Sequence, residues 1–141
     1  MKSFIMLWAL CFAISALAHA QQPCLHGPDE TPEEVTRRRD VVAATRLINT
    51  MQANQPGAAS KRYLSQAELS ALPNIEKFRQ SREAFKDLSF VPGEQLFPGW
   101  ELRLDVSETG YWFMVKDKSD PCGFAYISNQ DGLVYKAEPI R

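Results

Sequence analysis

Histidine is nearly absent from this chain of 141 residues: it has two, and beyond residue 20 only His26 remains. That excludes a histidine-rich metal cluster and makes any histidine-based triad depend on one ring. The sequence contains no HExxH pair, no glycine-rich phosphate loop and no nucleophile elbow. Cysteine is sparse, at three residues with no CxxC spacing, which argues against a zinc or redox motif. Positive charge is not in excess either. The 16 Lys and Arg face 17 Asp and Glu, so neither nucleic acid nor an anionic membrane surface is an expected partner. The one long apolar run, Phe4 to Ala18, holds about 15 residues, fewer than the roughly 20 that a membrane-spanning helix needs.

Lys2 before that run, with Ala18 and Ala20 around His19 after it, makes the pattern of a secretory signal. Cleavage is expected after Ala20, and Ala16-Leu17-Ala18 is the rival exit. A lipid anchor is not expected, because Cys24 follows Gln-Gln-Pro and Cys11 lies inside the apolar run. Residues 1–20 as signal leave 21–141 as a single domain of 121 residues, with 15 basic against 17 acidic groups once Lys2 is lost. The predicted location is periplasmic or extracellular, with no stable membrane anchor. Cys24 and Cys122 are then predicted to form one disulfide in an oxidising compartment, tying an N-terminal arm to the C-terminal region.

Thr31-Pro32-Glu33-Glu34 carries a capping box with proline at the first helical position. Val41, Ala44, Ile48 and Met51 follow at steps of three and four, so a helix is predicted from Pro32 to about Ala53, stopped by Gln55-Pro56-Gly57. Arg37, Arg38 and Arg39 stand on it as a solvated face, with Glu33 and Glu34 spaced to pair with Arg37 and Arg38. Ser65-Gln66-Ala67-Glu68 is a second capping box, with Leu64 and Leu69 placed as its apolar staple. From Asn74 to Leu88 the helical stripe of Ile75, Phe78, Phe85 and Leu88 is interrupted at Ser81 and Arg82. Phe90 to Trp100 reads as an apolar loop.

Trp100 to Val106 alternates apolar and charged residues, turns at Ser107-Glu108-Thr109-Gly110 with Gly110 available for positive φ, and returns over Tyr111 to Lys116. Gly123 to Ser128 and Leu133 to Ala137, joined by Asn129-Gln130-Asp131-Gly132, repeat the hairpin. The predicted fold is α+β: one long N-terminal helix packed on a four-stranded antiparallel sheet of two C-terminal hairpins, with short helices and loops between. Both faces of the middle strands carry apolar side chains, and the helix covers only one. Either the Phe85 to Phe97 segment folds over the other, or that face binds another chain through Trp112, Met114, Ile127 and Val134.

Asp117, Asp120 and Asp131 lie in the hairpin connections and offer hard oxygen ligands for Ca²⁺, without EF-hand spacing. His26 is expected as a fixed arm residue near Cys24. An atypical hydrolase would have to build its site from His26, tyrosine and carboxylate side chains, and no cofactor is expected.

The helix segment Ala43-Ala44-Thr45-Arg46-Leu47-Ile48-Asn49-Thr50, the connection containing Tyr63-Leu64, and above all Cys122-Gly123-Phe124-Ala125-Tyr126-Ile127-Ser128-Asn129-Gln130-Asp131-Gly132-Leu133-Val134-Tyr135 resemble the globular part of type IV pilin-like proteins, including type II secretion pseudopilins. The resemblance spans about Pro32 to Arg141. It implies a noncatalytic structural or interaction role with a protein partner, and it adds weight to calcium at Asp117, Asp120 and Asp131. The chain departs from that family at its start, where no glycine precedes the apolar run and no acidic residue lies within it, so filament assembly by the family's route is not implied. The intact mass of the exported protein is expected to begin at Gln21, with no thiol alkylated before reduction; a mass retaining residues 1–20 would contradict the leader.

Overall fold

The computed structural model describes residues 24–54 and 62–138. The predicted leader, Cys11, the helix stop at Gln55-Pro56-Gly57 and most of the loop after it lie outside the described residues. Helix α1, Pro32–Ala53, starts as its sequence requires: the Thr31 hydroxyl accepts from the Glu34 backbone at 3.3 Å, and the Glu34 carboxylate accepts from the Thr31 backbone at 2.8 Å. Because the cap occupies Glu34, it is Glu30 and not Glu34 that pairs with Arg38, while Arg37 reaches the Pro98 carbonyl. The expected pairing of Glu33 and Glu34 with Arg37 and Arg38 is therefore replaced by longer-range contacts.

Helix α2, Gln66–Ser70, begins at the Ser65–Glu68 capping box, with Leu64 and Leu69 both buried beside it. The stretch from Asn74 to Leu88 divides where its stripe was broken. Helix α3, Ile75–Ser81, stops at an extended Arg82, and Glu83–Phe85 adds a single 3-10 turn.

Strands β1 (Trp100–Val106), β2 (Tyr111–Asp117), β3 (Ala125–Asn129) and β4 (Val134–Ala137) form an antiparallel meander in that order. In such a ladder, directly paired residues share a face. Leu104–Phe113–Ser128–Val134 and Leu102–Val115–Tyr126–Lys136 therefore run across the inner face. Helix α1 meets this face at β3 and β4 through Val41, Ala44, Leu47, Ile48 and Met51. Phe85, Leu88, Phe90, Leu96 and Phe97 enter the same core, brought to the β1 side by backbone hydrogen bonds from Leu96 to Trp100 and from Trp100 to Phe97. The Phe85 to Phe97 segment thus completes the inner face instead of folding over the outer one, because a single 22-residue helix leaves the β1 half of the inner face for it to fill.

Gly110 does not take positive φ. Its turn is closed by Ser107, whose backbone N–H donates to the Gly110 carbonyl at 2.8 Å and whose hydroxyl accepts from the Gly110 N–H at 3.1 Å. A Cβ at Gly110 would stand 2.9 Å from the Gln130 amide oxygen, the end of an exposed, flexible side chain that can move aside.

The buried stripe of α1 also holds polar residues. Gln52 bonds both the N–H and the carbonyl of Leu64 at 2.7 Å. Asn49 donates to the Ser128 hydroxyl at 2.8 Å and the Gly132 carbonyl at 3.1 Å, and accepts from the Tyr111 hydroxyl at 2.9 Å. One amide therefore joins α1 to β2, β3 and the last turn. Replacing it strands several buried polar groups, each costing about 1–3 kcal/mol. Asn49→Ala is expected to lower the urea-unfolding free energy by about 2–4 kcal/mol, against less than about 0.5 for the exposed neighbour Thr50→Ala; equal effects would refute the bridging role.

Candidate functional site

The N-terminal arm is held to the sheet by three kinds of bond. Cys24 and Cys122 form a disulfide, with Cα atoms 5.3 Å apart and a separation of 98 positions in sequence. In the chain-entropy account, a loop of that length restricts the unfolded state by roughly 4–5 kcal/mol. Asp120 then accepts from the backbone N–H groups of Leu25 at 3.0 Å, Cys122 at 3.1 Å and Phe124 at 3.1 Å.

His26 supplies the third tie. Its Nδ1 lies 2.7 Å from a Glu30 carboxylate oxygen and its Nε2 2.8 Å from one of Asp117, so each ring nitrogen is hydrogen-bonded to a carboxyl group. The ring lies on Phe124 at 4.2 Å and near Trp100 at 5.6 Å, and its side chain is only 4 % exposed. Glu30 is gripped from the other side by the forked Arg38 guanidinium at 2.9 and 2.8 Å. Asp117, fully buried, also accepts from the Ser119 N–H at 2.8 Å. Arg38, Glu30, His26 and Asp117 thus form a continuous hydrogen-bonded chain from helix to arm to sheet. Both His26 nitrogens are occupied, so in this arrangement neither is free to take a proton from a substrate.

An open cleft of about 1460 Å³ borders this clamp, lined by the arm from Cys24 to Thr31 and by Arg38, Lys136 and Glu138. Of the acids that line it, Glu30, Glu34, Asp120 and Glu138 already have hydrogen-bond or charge partners.

The three aspartates proposed for calcium are not brought together. Asp117 and Asp120 serve the clamp, whereas Asp131 lies past the opposite end of β3, in the last turn, where it accepts from the Asn129 amide at 3.1 Å. Cys24, Cys122 and Asp120 place possible ligand atoms within 4.8 Å, but the two sulfurs are bonded to each other.

The outer sheet face has a different character. Arg103, Met114, Ile127 and Tyr135 stand directly opposite one another across all four strands, and Trp112 lies in the next row between Asp105 and Asn129. Trp112 is 39 % and Tyr135 54 % exposed, with Met114 and Ile127 partly so. The Arg103 guanidinium rests 5.3 Å over the Trp112 ring and bonds Asp105 at 3.2 Å. Val134, expected on this face, pairs with Ser128 and packs on the core side, and Tyr135 takes the outer place. Parity across a turn is set by the turn's register, and alternation within β3 and β4 taken separately could not supply it.

No family model, curated protein or solved structure matches the chain. Among the described residues no helix is long and apolar enough to cross a membrane.

The clamp gives stability a pH dependence. Burial pushes the Glu30 carboxyl up, but hydrogen bonds and charge from His26 and Arg38 outweigh it and hold the group below its ordinary 4.5. Burial likewise raises Asp120, and its three backbone donors with the nearby His26 charge bring it below 3.8. A carboxyl depressed by folding stabilises the fold fully above its unfolded pKa, and that contribution is lost as pH falls through the folded one. Stability measured by denaturant is therefore expected to fall below about pH 4.5, and less steeply in Asp120→Asn than in the parent. Equal slopes would show that Asp120 contributes nothing to acid sensitivity.

Proposed function

We propose that this protein is an exported, noncatalytic interaction module, pilin-like in its globular form, that docks a protein partner on the outer face of its sheet. The observation that carries the reading is the uncovered row of Met114, Ile127 and Tyr135 with Trp112 beside it, since large apolar side chains grouped on an open sheet commonly mark an interface. Aromatic residues with arginine at their edge are the composition that interface centres favour. Arg103 and Lys116 with Glu101 and Asp105 form a rim of both signs, which suits a protein surface better than an anionic membrane.

Export is supported by the leader pattern of residues 1–20 and by the Cys24–Cys122 disulfide, which persists in oxidising compartments. The long helix on an antiparallel meander fits a pilin-like head, and the absence of an acidic residue in the apolar N-terminal run fits a head that does not build the filament.

The test is a photo-crosslinking residue at position 112 of the full chain, expressed in the producing cell. One discrete adduct is expected, lost on Met114→Asp, with none from position 77 on the exposed side of α3. Adducts from position 77 equal to those from position 112, or none from position 112, would remove the outer face as the docking site.

A further inference from the structure

The meander leaves two edges, and the edge at β1 has a pattern of its own. Gly99 and Ser107 bond inward across the hairpin, to Lys118 and Gly110, whereas Trp100 bonds outward, to Leu96 and Phe97. Strand backbone groups alternate in direction. The N–H and carbonyl groups of Leu102, Leu104 and Val106 therefore also point outward, and among the described residues no hydrogen bond satisfies them. Val106 is 38 % exposed at the end of this row.

A free edge of this kind is a template for another strand. Natural edges are often protected by charge, and Glu101, Arg103 and Asp105 place charge of both signs along the outer side of β1. Those charges select among registers for one occupant in particular, an antiparallel copy of β1 itself. A two-fold axis at Leu104 sets Leu102, Leu104 and Val106 against Val106, Leu104 and Leu102 of the second copy, each pair exchanging hydrogen bonds. On the outer face it sets Arg103 against Asp105 of the second copy, twice by symmetry. On the inner face it joins aliphatic side chains. Shifting the axis to Arg103 puts Arg103 against Arg103 and Glu101 against Asp105, while shifting it to Asp105 puts Asp105 against Asp105; directly opposed like charges destabilise a sheet. Trp100, whose outward groups are already spent on Leu96 and Phe97, limits the pairing to this central stretch.

We propose that two copies of this chain associate through β1, in the register centred on Leu104, to give one eight-stranded sheet with two-fold symmetry. The contact uses the β1 edge and the charges flanking it, not the Met114, Ile127 and Tyr135 row, so it stands independently of the partner reading above.

Sedimentation equilibrium of the full, disulfide-bonded chain from micromolar to about millimolar concentration tests it. A monomer–dimer equilibrium is expected. Arg103→Glu and Asp105→Arg should each weaken dimerisation by about tenfold or more, since each turns two attractions into repulsions. The charge-swapped double variant Arg103→Asp/Asp105→Arg should restore it. Val106→Pro, which removes an outward donor that the intramolecular ladder does not use, should weaken dimerisation while thermal melting confirms a folded monomer. A monomer at every concentration would overturn the proposal, as would a dimer indifferent to the single reversals or not restored by the swap.

Discussion

The His26 ring between Glu30 and Asp117 is the constraint on which the arrangement of the whole chain depends. It carries the arm, through Glu30, to Arg38 on the long helix and, through Asp117, to the end of β2. Asp117 has no exposed surface, and a buried carboxylate is tolerated only when paired and hydrogen-bonded. The disulfide brings the arm to the sheet, but a single covalent link fixes distance and not orientation. Orientation comes from the imidazole, seated on Phe124, and from Asp120 gathering three backbone donors around it. Removing the ring would leave two carboxylates facing an empty socket.

With arm and helix placed, the inner face fills except at its margins, where Val106 and Lys136 stay exposed. Helix α1 takes the side of β3 and β4, and the Phe85 to Phe97 stretch takes the other side. Asn49 and Gln52 then act as polar pins inside an otherwise apolar layer, Asn49 bonding β2, β3 and the last turn and Gln52 pairing with the Leu64 backbone. Apart from the exposed Val91, the large apolar residues of the Phe85 to Phe97 stretch are thereby used on one side of the sheet. The outer side keeps its aromatic row because no described element remains to cover it.

Much of this was legible in the sequence, for physical reasons that differ by element. Helix α1 was visible at both ends because its cap is local chemistry: Thr31, Pro32 and Glu34 settle its start without reference to the rest of the chain. The strands were visible because alternation is local too, and the Cys24–Cys122 bridge because few partners existed. What escaped was non-local. Val134 faces inward because register passes through a turn, and Arg38 pairs with Glu30 because the cap claims Glu34. The polar pins were hidden within an apolar stripe, where an Asn at a core position signals a network only once its partners on other elements are known. The roles of Asp117 and Asp120 were obscured for the same reason: an aspartate beside a turn looks alike in sequence whether it faces solvent or closes a buried ion pair.

The order of the strands also bears on how the molecule is made. Each strand pairs with its neighbour in sequence, so the sheet assembles from short loops that close quickly. The arm is the opposite case, since Cys24 leaves the ribosome early and meets its partner only after 98 further positions have been made. Until then its anchoring carboxylates, Asp117 and Asp120, do not exist either. The arm can therefore be fastened only after nearly all of the rest is built, and a chain ending before Cys122 would have no bridge to hold its arm.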